Sequence, residues 1–211
     1  MTEISEALKK LRKEAKKRNF NQRLDLIVNL RGIDTKKPEN RINEIFELPY
    51  GSGKEAKIVV FSDEVSDEIK NIINVEVLNT KDVENLAKNK RECKKLAKNF
   101  DFFISDQKIL PFVTKNLGKF LAPRGKTPKP IVGDLKKMIE SLKKSVRIRI
   151  KDAPTIQIPV GSENMKDEEI EKNIQEVLKF ISEKLPKKKN NIKEALIKFT
   201  MSKPVKVEVK L

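Results

Sequence analysis

The sequence predicts a mixed α/β protein of two domains. An α+β domain one is built from both chain ends, residues 1–53 and 154–211, and an α/β domain two, residues 54–153, is inserted between them. Three observations carry this expectation. The outer segments hold alternating strands and amphipathic helices. The middle holds short apolar strands that alternate with helices, the pattern of βαβ units around a parallel sheet. The borders are turn-rich breaks, Pro49-Tyr-Gly-Ser-Gly53 and Lys151-Asp-Ala-Pro154, and two short parallel links of this kind form a hinge.

The elements follow in order. Ile4, Ala7, Leu8, Leu11 and Ala15 recur at helical spacing and predict a helix over 3–17. Leu24, Leu26, Val28 and Leu30 alternate with Asp25, Ile27 and Asn29 as in a half-buried strand. Gly32 to Pro38 is a turn-rich link, and Ile42 to Leu48 is a second strand. Past the first break, Lys57-Ile-Val-Val-Phe61 reads as a strand buried on both faces. A helical stretch through Ile69, Ile72 and Ile73 leads to a strand at Val75–Val77. Helices around Val83–Ala87 and Cys93–Ala97 precede a strand at Asp101–Ser105. Leu135, Met138, Ile139 and Leu142 mark a further helix, and Val146, Ile148 and Ile150 a strand. Beyond the second break, Ile156, Ile158 and Val160 alternate. Ile170, Ile174, Val177, Leu178 and Ile181 then line one face of a helix over about 167–184. Asp167, Glu168 and Glu169 suit its first turn, where the helix dipole favours negative charge, and Pro186 stops it. Ile192, Ala195, Leu196 and Phe199 predict a last short helix, and Val205, Val207, Val209 and Leu211 a closing strand.

Composition narrows the chemistry. The 211 residues include no His and no Trp, with one Tyr and one Cys. A His-based triad, His metal ligands and His pH switches are therefore excluded. The lone Cys93 excludes disulfides within the chain and Cys-clustered zinc or iron–sulfur sites, which fits a reducing cytosol. There is no apolar run of signal-peptide or membrane-span length. What stands out is the net charge of +16 and its distribution. Residues 107–151 carry 13 cations against 2 carboxylates, both chain ends are basic, and residues 152–182 are acidic. Clustering of this kind points to an anionic partner, and nucleic acid above all.

Most short motifs dissolve on inspection. Gly51-Ser-Gly-Lys54 lacks the spacing of a phosphate loop and has Glu55 where the metal-binding hydroxyl belongs, so it reads as a flexible linker. Ser141-Leu-Lys-Lys144 is a four-residue chance pattern in a basic helix. Asp63, Glu64, Asp67 and Glu68 open a predicted helix, where dipole pairing accounts for them. Low complexity is confined to Lys187-Lys-Lys189. Nothing here supports nucleophilic, acid–base or cofactor chemistry.

Three segments remain. Pro123-Arg-Gly-Lys-Thr-Pro-Lys-Pro130 should form a stiff, extended cationic loop, with Arg124 and Lys126 open to phosphate contact, or else an ordinary surface loop. Lys198-Phe-Thr-Met-Ser-Lys-Pro204 joins the last helix to the last strand and offers small hydroxyls and free backbone groups suited to ribose and phosphate. Arg18-Asn-Phe-Asn-Gln-Arg23 joins the first helix to the first strand in the same style, placing Arg18, Arg23 and Lys198 near a shared surface if the chain ends form one domain. Phe20 is then a core residue or a platform for a ribose or base.

At these residues the chain resembles a known family. Gly118-Lys-Phe-Leu-Ala-Pro-Arg-Gly-Lys-Thr-Pro-Lys-Pro130 and Phe199-Thr-Met-Ser202 are similar to signatures of the archaeal L-one family of large-subunit ribosomal proteins, which builds the mobile lateral stalk. In the first, Ala122 replaces the usual Gly and Lys126-Thr127 an apolar pair. The resemblance covers essentially the whole chain. It implies a Rossmann-like domain two and a domain one that holds large-subunit ribosomal RNA through Phe20, Gln22, Asp25, Thr200, Met201, Ser202 and Lys203. It further implies a cytoplasmic, ribosome-bound protein, monomeric when free and without a cofactor or membrane. Its expected place is near the exit site for deacylated transfer RNA, with its own messenger RNA as a second partner and translational repression as a second role. Two rivals stand beside it. A nucleic-acid enzyme would need a general base or metal site, and a chromosomal protein would bind duplexes of any sequence.

Overall fold

The computed structural model describes residues 3–35, 37, 42–64, 69, 72–150 and 153–208. Several predicted features lie outside the described residues: Asp67 and Glu68, most of the helical stretch before Ile72, Lys151-Asp152, and Val209 and Leu211. Helices and strands are numbered in chain order among the described residues.

The chain divides into two compact units, Met1–Lys54 with Lys144–Leu211, and Glu55–Lys143. The first crossing lies beside the expected border. The second falls ten residues before it, because β7 (Ser145–Arg149) pairs antiparallel with β2 (Asn43–Glu47) and so belongs to unit one.

Unit one is a four-stranded antiparallel sheet of order β10-β9-β1-β8 with helices on one face. The strands are β1 (Arg23–Leu30), β8 (Thr155–Ser162), β9 (Ile192–Phe199) and β10 (Val205–Val207). Leu24, Leu26, Val28 and Leu30 of β1 face the core, with Ile156, Ile158 and Val160 of β8 and Ala195, Ile197 and Phe199 of β9. Two helices cover that face. α1 (Ile4–Glu14) lies against β9 and β10, α6 (Asp167–Lys184) against β8, and each touches the other. Ile170, Ile174, Val177, Leu178 and Ile181 of α6 are all buried. Each contributes roughly 1.5–3 kcal/mol over remaining exposed.

Residues 192–199 correct the expected last helix. Ile192, Ala195, Leu196 and Phe199 fit a helical face, but Ala195, Ile197 and Phe199 also fit a strand. Pairing with β1 on one side and β10 on the other decides for the strand. The segment is eight residues long and follows a turn at Lys188–Asn191, which is strand-like punctuation. The junction at 199–204 is therefore a strand–strand turn, not a helix–strand link.

Unit two is a parallel sheet of order β4-β3-β5-β6, from β3 (Ile58–Phe61), β4 (Val75–Leu78), β5 (Phe102–Ser105) and the short β6 (Lys129–Pro130). Every residue of β3 and β5 is buried, as expected of strands covered on both faces. α2 (Thr80–Lys88), α3 (Lys90–Asn99) and α4 (Leu110–Leu121) pack on one another. Val83, Cys93, Leu96, Val113, Leu117 and Leu121 join Val59, Phe61 and Phe103 in one cluster. α4 adds an element to those predicted, and Val113, Leu117 and Leu121, recurring every four residues, carry its signal. α5 (Leu135–Lys144) leads back to unit one.

Three motif readings change in detail. The Pro49–Gly53 segment is pinned, not loose. The buried Asn173 side chain accepts the Tyr50 N–H at 3.2 Å and donates to Gly51 O at 2.8 Å and Val160 O at 2.9 Å. Gly53, at φ +76°, has no room for a Cβ, which would stand 2.3 Å from Ser162 Oγ. Asp63 accepts the Thr80 N–H at 2.8 Å and the Thr80 hydroxyl at 2.7 Å, so it is tied to the first residue of α2, and these bonds hold its carboxyl below the ordinary value. Among the described residues no group of His, Cys, Asp or Glu could hold a metal ion. Finally, the predicted extended loop at 123–130 is a 3₁₀ turn over Ala122–Arg124, a left-handed Gly125 at φ +69°, and then β6. The Gly125 and Lys126 N–H groups close the end of α4 on Ala122 O and Leu121 O.

Candidate nucleic-acid interface

The site is built where three strands of unit one end together. β1 begins at Arg23, β9 ends at Phe199, and β8 ends at Ser162, which pairs with Arg23. Antiparallel pairing thus brings the α1–β1 junction beside the β9–β10 turn, although 177 residues separate Arg23 from Thr200.

The turn is held from both sides. Its Thr200 N–H donates to Arg23 O at 3.0 Å. The Thr200 hydroxyl donates to the same oxygen at 3.3 Å and accepts the Arg23 N–H at 3.2 Å. One lone pair remains free for a ligand, and the residue is exposed. The Ser202 hydroxyl accepts the Phe199 N–H at 2.9 Å, and the Ser202 N–H donates to Phe199 O at 3.1 Å. Ser202 therefore shapes the turn. The Met201 side chain is 60% exposed while its N–H donates to Gln22 Oε1 at 3.2 Å. Phe20 resolves the alternative left by the sequence: it is 51% exposed and is not a core residue.

Gln22 stands apart from the other predicted contacts. It is wholly buried, and its amide is occupied at both ends, by Met201 N–H and by Lys16 O at 3.1 Å. Asp25 is half-buried on the open face of the sheet. It pairs with Arg23 Nε at 2.8 Å and stands in register with Lys198 of β9. Arg18 and Lys203 are exposed, and Lys198 is half-buried. The structure thus gathers Gln22, Arg23, Asp25, Lys198, Thr200, Met201 and Ser202 by direct bonds or strand register. Phe20, Arg18 and Lys203 flank them in the chain.

Arg124 and Lys126 belong to unit two. Arg124 is exposed. The Lys126 ammonium donates to Ala97 O at 3.1 Å and to Phe100 O, closing the end of α3, where the helix dipole favours a cation. It is committed inside its own unit.

Sequence reasoning missed the residues that support the site. Arg12 of α1 binds Asp167 Oδ1 at 2.7 Å, Glu163 O at 2.8 Å and Met165 O at 2.6 Å, fixing the segment after β8. Glu163 in turn donates its N–H to Gln22 O at 2.8 Å. Across the open sheet face runs a polar row of four strands. Lys206 meets Glu194 at 2.7 Å, Asn29 donates to Glu194 at 3.0 Å, and Thr155 donates to Asn29 at 3.1 Å. The Lys206 and Asn29 bonds hold the Glu194 carboxyl below its ordinary value. These partners are 126 to 165 positions apart wherever Asn29 is involved, and local pattern carries no trace of them.

The turn and the α1–β1 junction together offer one free hydroxyl lone pair, two exposed apolar side chains and several cations, a set that can accept a ribose hydroxyl, pack on a sugar or base, and meet phosphate. Known proteins share this sequence over nearly its whole length. The chain is 40% identical over 208 residues to the large ribosomal subunit protein uL1 of Pyrococcus horikoshii, covering 97% of this chain and 95% of that one. It is 43% identical over 208 residues to the protein of the same name from Methanobrevibacter smithii, covering 97% and 98%. With that of Methanocaldococcus jannaschii it shares 42% over 207 residues, covering 97% and 94%. The profile of the Ribosomal protein L1p/L10e family matches residues 11–203, both signature segments included, and the chain belongs to that family.

Proposed function

We propose that this protein is a structural component of the large subunit of the cytoplasmic ribosome, and that it holds ribosomal RNA through the β9–β10 turn and the start of β1. The observation that carries the reading is the turn itself. Its backbone is tied on both flanks by Arg23 and Gln22, yet it leaves Met201 and the Thr200 hydroxyl open to solvent. Arg23 is bonded to it, and the exposed cations Arg18 and Lys203 flank the site in the chain. The names of the relatives, large ribosomal subunit proteins throughout, support the choice of RNA.

Finer parts of the proposal follow the family resemblance. They are a place in the lateral stalk near the exit of deacylated transfer RNA, and repression of translation by binding its own messenger RNA at a copy of the ribosomal site. The protein does no catalysis in this reading.

The test is to identify the RNA that co-purifies with the tagged protein, then to compete that RNA against random duplex DNA at one salt concentration. Recovery of large-subunit ribosomal RNA with strong preference over the duplex supports the proposal. Equal binding of both would point to a general nucleic-acid binder of the chromosomal kind.

A further inference from the structure

We infer that Gln22 is a positioning residue of the RNA site: its buried amide sets the backbone of the recognition turn at Met201 against the exit of α1. The inference rests on the RNA-binding reading above, and deepens it.

Gln22 has no exposed surface. Its Oε1 accepts the Met201 N–H at 3.2 Å, and its Nε2 donates to Lys16 O at 3.1 Å. Its main chain is tied separately to the segment after β8, where Gln22 O accepts the Glu163 N–H at 2.8 Å and Gln22 N–H reaches Glu163 Oε2 at 3.4 Å. One side chain thus joins the residue following the α1 cap to a turn 179 positions away. Each feature of the glutamine is used. The amide presents a donor and an acceptor while remaining neutral. A carboxylate lacks the donor, and an aliphatic side chain would leave the Lys16 O and Met201 N–H without this partner. Met201 is therefore held by its backbone while the residue stands 60% exposed, so the point from which this apolar group projects is set before any RNA arrives.

The experiment uses the full chain and a transcript of the co-purifying ribosomal RNA fragment, with two variants. Gln22→Leu removes both bonds. Gln22→Glu removes the donor only when ionised. The groups facing this position are the Glu163 carboxylate, with Arg12 of α1 on the Glu163 carbonyl, and the uncharged Lys16 and Met201 backbone. Burial and the neighbouring carboxylate raise the pKa of a glutamate placed there. Once protonated it donates to Lys16 O and accepts from Met201 N–H, as the amide does.

Gln22→Leu is expected to weaken RNA binding about tenfold, the effect of losing the bond that sets Met201, and to speed amide exchange at Met201 while the middle of β9 stays protected. Gln22→Glu is expected to bind weakly at about pH 8 and to recover toward wild type as the pH falls to about 5, with wild type measured at each pH as the reference. A purely structural role would lower the unfolding temperature but leave the affinity of the folded fraction unchanged, with no recovery in acid. That result, or unchanged Met201 exchange in a folded Gln22→Leu protein, overturns the inference. If Gln22→Leu does not fold, the acid recovery of Gln22→Glu decides. If wild type fails to bind the transcript, the ribosomal reading falls, and Met201 exchange still decides whether Gln22 sets the turn.

Discussion

At the scale of single residues, the structure separates groups left open to a ligand from groups that hold them in place. Thr200 does both. Its hydroxyl clasps the Arg23 backbone and keeps one lone pair free, which the proposed function gives to a ribose 2′-OH. Thr200→Val keeps the shape and removes the hydroxyl, so the protein should fold while RNA affinity falls about tenfold, near 1.4 kcal/mol. Filter binding or calorimetry, beside a thermal melt, would measure this. Affinity equal to wild type would remove Thr200 from the recognition centre. Met201→Ala should also weaken binding, through lost contact area on sugar or base, with no change in the melt, because its side chain is largely exposed. Lys187→Ala is the control, since Lys187 is exposed and a solvated charge contributes little. The sequence singled out Thr200, Met201 and Ser202 together, and only the structure distinguishes their tasks. Ser202 closes the turn on Phe199, and the donor and acceptor of Gln22 point inward. Residue type alone cannot tell a polar side chain that meets a ligand from one that meets the backbone.

At the scale of elements, β9 is the instructive case. Helical and strand periodicities coincide at Ala195 and Phe199, and the long-range pairing with β1 and β10 breaks the tie. Its outward residue Glu194 sits in the polar row that spans the sheet from Lys206 to Thr155. Because the folded-state pKa of Glu194 is lowered, its contribution to stability is complete above the ordinary value of 4.5 and is lost as the pH falls through the lower folded value. Unfolding midpoints in urea should therefore be less sensitive to acid below about pH 4.5 in Glu194→Gln than in wild type, and the two curves should run parallel above it. An identical acid slope in both proteins would show that the row has no part in the acid sensitivity. No such tie affects α6. α6 spans the predicted 167–184, because five apolar residues on one face, three acidic residues in its first turn and Pro186 just beyond it all agree.

At the scale of the whole molecule, the boundary at 143/144 changes how the two units are to be separated. A chain joining 1–54 to 144–211 retains β7 beside β2 and all the predicted contacts except Arg124 and Lys126. It should fold alone and keep preference for the ribosomal RNA. Such a chain, shown to be folded but lacking that preference, would place recognition elsewhere. For the intact chain, log affinity should fall linearly with log salt, with each phosphate contact made by a Lys or Arg adding about 0.7–0.9 to the slope. A flat plot would remove electrostatics from the account. What the sequence by itself determined is the local and the compositional. Charge clustering pointed to an anion, apolar period set most helices and strands, and two motifs carried the family resemblance, since each depends on neighbours within a few residues. Only the tertiary structure decided that 192–199 is a strand, that β7 belongs to unit one, that Lys126 is committed to the end of α3, and that Gln22 lies under the turn. The physical reason is common to all four. Each depends on at least one hydrogen-bond partner that the fold delivers from 26 to 179 positions away, where no periodicity reaches.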